Sequence, residues 1–130
     1  MQDSIFTKII KGEIPSHKVH DDEQTLAFMD ISPIQPGMVI VVSKKQIDHI
    51  WDLSQEDYQA LMKTVHLVGQ RLRKVFPGKA RVAVIIEGFE VPHAHVKVFP
   101  VNNEQEVRTS PSHAEPDHSA LAEMAEKLAF

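Results

Sequence analysis

The sequence predicts an α+β fold, an antiparallel five-stranded sheet with one long helix on a face and short helices at its flanks. Three observations predict it. Short apolar, β-branched runs are separated by turn residues; one stretch repeats apolar residues at helical spacing; and the links between consecutive strands are too short for parallel crossovers.

Ile5 to Lys11 is partly amphipathic and reads as a short helix, stopped by Gly12 and by Pro15 beyond it. His17 to His20 starts a strand, Asp21-Asp22-Glu23 turns, and Thr25 to Met29 forms the second strand. Ser32 to Gly37, with two prolines and a glycine, is a loop. Met38 to Val42 is β-branched and apolar throughout, as a buried central strand should be. Ser54 to Phe76 is the long helix. Ser54 is placed to cap it, with Asp57 three residues on, and Leu61, Val65, Val68, Leu72 and Val75 draw one apolar stripe. Pro77-Gly78 stops it. Ala80 to Ile86 is the fourth strand and Val91 to Phe99 the fifth, ended by Pro100. The chain then turns polar, and Asp117 opens a last helix with Leu121, Met124 and Leu128 on one face. A helix of about three turns is marginal alone and must dock on the body or on a partner chain. One domain is expected over residues 1–130, with its core at about 4–101 and a C-terminal extension whose helix covers about 117–129.

Composition excludes several classes. A net charge of -4 without a basic block argues against binding nucleic acid polymers. The absence of cysteine removes disulfides, thiolate metal sites and thiol nucleophiles. No apolar run approaches a membrane span, and Met1-Gln2-Asp3-Ser4 lacks the features of a signal peptide, so the expected compartment is the cytoplasm.

The chemistry concentrates in Pro92-His93-Ala94-His95-Val96-Lys97-Val98-Phe99-Pro100. On a strand, His93, His95 and Lys97 share one face, while Ala94, Val96 and Val98 share the other. Imidazole can be a nucleophile, a base or a metal ligand near neutral pH, and an ammonium adds positive charge. Such a face suits a phosphate ester, with a nitrogen attacking phosphorus and cations bearing the oxygen charge. A solvated strand face is the bland alternative.

These residues, with others, resemble the histidine triad (HIT) family, whose strand motif is His-x-His-x-His with apolar x. His93 and His95 fill the first two positions and Lys97 the third. Ile5 to Pro15, Leu26 to Pro33, and Pro36 through Lys45 are similar to the family's earlier blocks, and Glu90 to His95 resembles a bacterial branch. The blocks stand in family order across most of residues 4–100. The resemblance implies a HIT-like fold, a homodimer, and binding of a purine nucleotide or nucleotide conjugate. It implies hydrolysis or transfer at the α-phosphate of phosphoramidates, adenylates or dinucleotides through a nucleotidyl-histidine. Carried over, His95 is the nucleophile, His93 orients it, and Asp30 bonds the ribose hydroxyls. Phe6, Ile14, Phe28 and Ile31 wall the base; from their own pattern these four are equally core residues.

The chain departs from the pattern in three places. Lys97 keeps a charge where the third histidine contacts the phosphate and leaving group, but an ammonium gives up its proton less readily than an imidazolium. Phe89 and Glu90 stand where many members have an amide and a hydroxyl near the phosphate; Glu90 would suit a phosphate only if paired with Lys97. Some bacterial members bind zinc through two N-terminal cysteines and histidines. Ser4 and Thr7 occupy those places here, so no metal and no cofactor are expected. Three readings remain open: an enzyme using His95, a nucleotide-binding protein with weak or no turnover, and a metal-binding protein using His93, His95 and perhaps His49, which is otherwise a solvent residue. His17, His20, His66, His113 and His118 are expected at the surface.

Overall fold

The computed structural model describes residues 2–130. In chain order the elements are α1 (Ile5–Ile10), β1 (Lys18–Asp21), β2 (Thr25–Met29), β3 (Val39–Ser43), a 3-10 turn (Ile50–Asp52), α2 (Gln55–Val75), β4 (Arg81–Ile85), β5 (His95–Val101), α3 (Glu104–Val107) and α4 (His118–Leu128). The five strands form one antiparallel sheet in the order β1-β2-β3-β5-β4.

Local chemistry explains the boundaries. The Ser4 hydroxyl accepts from the Thr7 N–H and starts α1. At the β1–β2 turn, the Asp22 carboxylate accepts from the backbone N–H groups of Gln24 and Thr25, both at 2.8 Å. Burial pushes the Asp22 pKa up, but these bonds, with those from His20 and the Thr25 hydroxyl, outweigh it and hold the value at about 2. Ser54 caps α2, accepting from the Asp57 N–H at 3.1 Å and donating to its carboxylate at 3.1 Å.

The period of two along the strands divides the core. Val39 and Val41 of β3 and Val96 and Val98 of β5 pack with Leu61, Val65, Val68 and Leu72 of α2. Ile40 and Val42 face the other way and pack with Leu26, Phe28 and, from α1, Phe6 and Ile9. Burying such a side chain stabilises the fold by about 1.5–3 kcal/mol, so a one-residue slip of β3 would exchange two cores at once. A buried Thr25–Thr64 hydroxyl pair, 2.7 Å apart, adds a polar tie between the sheet and α2.

Three sequence expectations are corrected. β5 begins at His95, not Val91, because residues 91–93 bend: the His93 N–H turns back to the Val91 carbonyl at 2.8 Å, and the Ala94 N–H bonds the Ile47 carbonyl at 2.7 Å. β5 also runs through Pro100 to Val101. Pairing with β3 ends at Val98, so at Pro100 only β4 lies alongside and no bond toward β3 is required. The polar stretch after Val101 holds a further short helix, α3, capped by the Asn103 side chain. The last helix docks on its own chain: α4 packs on α2, β1 and β2 and buries Ala125 and Leu128. No helix among the described residues is long and apolar enough to cross a membrane.

Gly37 turns the chain into β3 with a φ of 88°. A Cβ there would lie 2.8 Å from Phe76 Cζ at the end of α2. Gly37→Ala should therefore combine backbone strain with a ring clash and cost about 1–3 kcal/mol, seen as a lower urea midpoint with an unchanged slope.

Candidate functional site

His93 is fully buried, and both ring nitrogens are engaged. Nε2 lies 2.6 Å from the Ser43 carbonyl oxygen, which can only accept, so Nε2 carries the proton. Nδ1 is then an acceptor, and the Ser4 hydroxyl donates to it at 2.7 Å. Around this bond, the Thr7 hydroxyl donates to Gln46 Oε1 at 2.6 Å, and the Ser4 N–H reaches the same oxygen at 2.8 Å. Burial lowers the His93 pKa; the Ser43 contact opposes that and nearby His95 adds to it.

His95, the first residue of β5, lies opposite Val42 and is 5% exposed. Its Nδ1 is 2.7 Å from the His93 carbonyl oxygen and donates to it. In the neutral ring, Nε2 is therefore left with its lone pair free. Burial lowers the His95 pKa; the bond to the His93 carbonyl opposes this, and the Lys97 charge reinforces it. The Phe6 ring meets the imidazoles edge-on, with centroids 4.8 Å from His95 and 5.8 Å from His93. Lys97 follows on the same face, opposite Ile40 and half-buried, close enough to act on both His95 and Asp30.

Beyond Phe6 opens a cavity of about 540 Å³, within the range of small-molecule sites. Ile5, Phe6, Ile9, Ile14, Phe28, Ile31 and Ile40 supply its apolar lining, and Ser16, His17, Asp30 and His118 its polar side chains. Phe6 and Phe28 meet edge to face at 5.7 Å. The four apolar residues picked from the sequence thus all line this cavity: Phe6 and Phe28 are also core, Ile14 is half-buried, and Ile31 is 51% exposed. Asp30 Oδ1 accepts from the Ser32 N–H at 2.8 Å, and Oδ2 has no partner among the described residues. Burial raises the Asp30 pKa against the pull of that bond and of Lys97.

On its other side, His95 lines a cleft of about 320 Å³ with Asp48, His49, Trp51, Glu87 and Phe89. Trp51 and Phe89 are 81% and 90% exposed. His49 is exposed, with Nε2 3.9 Å from the Asp48 carboxylate. Glu90 is exposed, lines neither space and forms no ion pair with Lys97.

The donor set around Ser4 does not fit zinc. The hydroxyls of Ser4 and Thr7, the Gln46 amide and His93 Nδ1 are spent on one another, and none supplies the thiolate or free imidazole such a site uses. Among the described residues, no group of three or more His, Asp or Glu side chains converges as a metal site.

No sequence pattern singles out Gln46 or Ser16. Ser4 had a local signal, its position three residues before Thr7 at a helix start. His17 and His118 are expected at the surface; His118 is exposed and His17 half-buried, and the two line the cavity as a pair with His17 Nε2 and His118 Nδ1 3.0 Å apart.

Residues 11–104 match the HIT domain family. The chain is 37% identical over 103 residues to an uncharacterized HIT-like protein of Methanocaldococcus jannaschii, covering 74% of this chain and 77% of that one. It is 33% identical over 105 residues to adenosine 5'-monophosphoramidase hnt1 of Schizosaccharomyces pombe, covering 78% and 76%. Its fold is similar to the crystal structure of a Hit-like protein involved in cell-cycle regulation from Bartonella henselae, with a TM-score of 0.85 and 27% identity over 97% of this chain and 93% of that one. The sheet with its crossing helix and the match over residues 11–104 agree, and the chain belongs to the HIT domain family.

Proposed function

We propose that the protein is a purine nucleotide-binding nucleotidyl hydrolase or transferase that acts at the α-phosphate, with His95 as nucleophile. One observation carries the reading: the His95 Nδ1 proton is held on the His93 carbonyl at 2.7 Å, which leaves Nε2 unprotonated on a ring that lines the open cleft and meets Phe6, a wall of the apolar cavity. The cavity takes the base, Asp30 Oδ2 accepts from ribose hydroxyls, and Lys97 bears charge on the phosphate oxygens. His95 Nε2 attacks phosphorus as the bond to the leaving group breaks, and that group departs with the electron pair and takes up a proton. The nucleotidyl-imidazole is cationic, and the Nδ1–H bond to the His93 carbonyl strengthens with that charge. Water then attacks phosphorus, the P–N bond breaks, the water's proton is lost to solvent, and neutral His95 and a nucleoside monophosphate result. The similarity to the fission-yeast monophosphoramidase supports a phosphoramidate substrate.

A second reading is a nucleotide-binding protein with weak turnover. Lys97 favours it, because no imidazole stands at the third triad position to protonate a basic leaving group.

The protein is further read as a homodimer. The expected basis, apolar surface left by α2 and α4, is replaced, since those helices cover each other. The support is now the edge strand β4, where Val84 is 47% exposed and neighbouring Ile86 42%.

Intact mass after incubation with adenosine phosphoramidate should reveal a nucleotidyl adduct that His95→Ala abolishes, while nucleotide binding persists. Lys97→His should raise turnover on phosphoramidates with basic leaving groups, by up to the ~10²–10⁴-fold of general acid catalysis, and change nitrophenyl esters much less. A wild type that Lys97→His slows would reject the missing-acid argument. A second outcome concerns pH. A lowered His95 pKa keeps the ring neutral into more acid solution, so the acid limb of kcat/KM should fall below the ordinary imidazole value of 6.5; a limb above 6.5 would exclude His95 as the free base. Finally, sedimentation at micromolar concentration should give a dimer of the 14.7 kDa chain, and a monomer would refute the assembly.

A further inference from the structure

The residues matched to the family stop at 104, yet the cavity does not. One of its polar side chains, His118, comes from the C-terminal extension, at the first residue of α4. We propose that the extension completes the nucleoside site: His118, His17 and Ser16 form a polar end wall that hydrogen-bonds the edge of the base. This rests on the nucleotide-binding reading above and assigns the extension a part in it.

Two independent observations support the proposal. The first is Ser16. Among the described residues, its Oγ is the one buried side-chain polar atom without a hydrogen-bond partner, and Ser16 lines the cavity. A buried hydroxyl is seldom left unpaired unless a ligand or water completes it. The second is the imidazole pair. His17 Nε2 and His118 Nδ1 are 3.0 Å apart, with ring centroids separated by 5.3 Å. Two nitrogens at that distance share one proton when the pair is neutral. The two outer nitrogens, His17 Nδ1 and His118 Nε2, are then one donor and one acceptor. Moving the shared proton across the contact, while solvent takes the proton from one outer nitrogen and returns one to the other, keeps both rings neutral and exchanges those roles.

That reversibility decides the ligand class. Adenine offers an amino donor beside a ring-nitrogen acceptor; guanine offers a carbonyl acceptor beside a ring N–H donor. A wall with fixed polarity would reject one of them. A reversible pair, with a Ser hydroxyl that can donate or accept, suits both purine nucleotides and discriminates against bases with no exocyclic group to bind. The rest of the lining is apolar apart from Asp30, so edge recognition falls to these three residues.

The test is calorimetric titration of the full chain with AMP, GMP, the 5'-monophosphate of unsubstituted purine riboside, and ribose 5-phosphate. Wild type should bind AMP and GMP with similar affinity and the unsubstituted purine more weakly. Ser16→Ala and His118→Ala should each weaken AMP and GMP about 2–10-fold, the equivalent of one neutral hydrogen bond, and leave ribose 5-phosphate unchanged; His118→Gln should recover part of the loss. Equal losses for ribose 5-phosphate, or no loss for any ligand, would overturn the proposal. Ser16→Ala removes one atom and leaves α4 docked, so it decides the matter if His118→Ala loosens the tail. A wild type that binds none of the nucleotides would fail the functional reading itself, whereas unchanged variants of a nucleotide-binding wild type would sink this inference alone.

Discussion

The buried imidazole of His93 is the joint on which the site depends. One nitrogen donates to the carbonyl at the end of β3, and the other accepts a hydrogen bond from the hydroxyl of Ser4, which caps α1. Its own carbonyl sets the His95 ring. Two segments distant in sequence are thereby fixed to one planar group, and each ring's tautomer is set by a backbone carbonyl, that of Ser43 for His93 and that of His93 for His95. The other neutral tautomer would set the Nε2 lone pair against the Ser43 carbonyl, at the cost of a buried unsatisfied group.

The sheet contributes a division of labour. Because side chains alternate, the residues of β5 that hold the sheet to α2 are interleaved with His95, which lines the cleft, and Lys97 on the same face. The valines at 96 and 98 make a rigid backing, and His95 and Lys97 inherit their positions from it. Phe6 of α1 closes the arrangement by touching both imidazoles while forming part of the cavity wall. One ring thus stands between the imidazoles and the cavity and belongs to both.

Much of this was legible in the sequence. α2 follows its apolar stripe from a Ser54 cap, and β2 and β3 follow from short apolar runs between turn residues. The same alternation misplaced the start of β5. His93 and Ala94 continue the alternation of the strand that follows, but the chain bends there because their N–H groups bond the Val91 and Ile47 carbonyls instead of a neighbouring strand. His93 meets His95 by that bend and not by a shared strand face. The placement of Phe6, Phe28 and Asp30 around a cavity was expected from family resemblance and could not have come from their hydrophobicity, which suits a core equally well. His17 and His118 carry no local signal at all, since a contact between residues 101 apart in sequence leaves no trace in either neighbourhood.

The tail helix is anchored at both ends. At its start is the His17–His118 contact, and just past its end Phe130 stacks on His20 with centroids 4.3 Å apart and donates its N–H to the Val19 carbonyl. These contacts join residues separated by 101 to 111 positions along the chain. Loop closure makes such distant contacts costly until the intervening structure exists, and an isolated helix of this length does not persist in water. During synthesis the β1–β2 hairpin emerges well before α4 and waits for that helix to leave the ribosome. The cavity therefore gains its final wall only once α4 has docked, so a nascent or truncated molecule can hold His93 and His95 in place while the cavity is still open at one end.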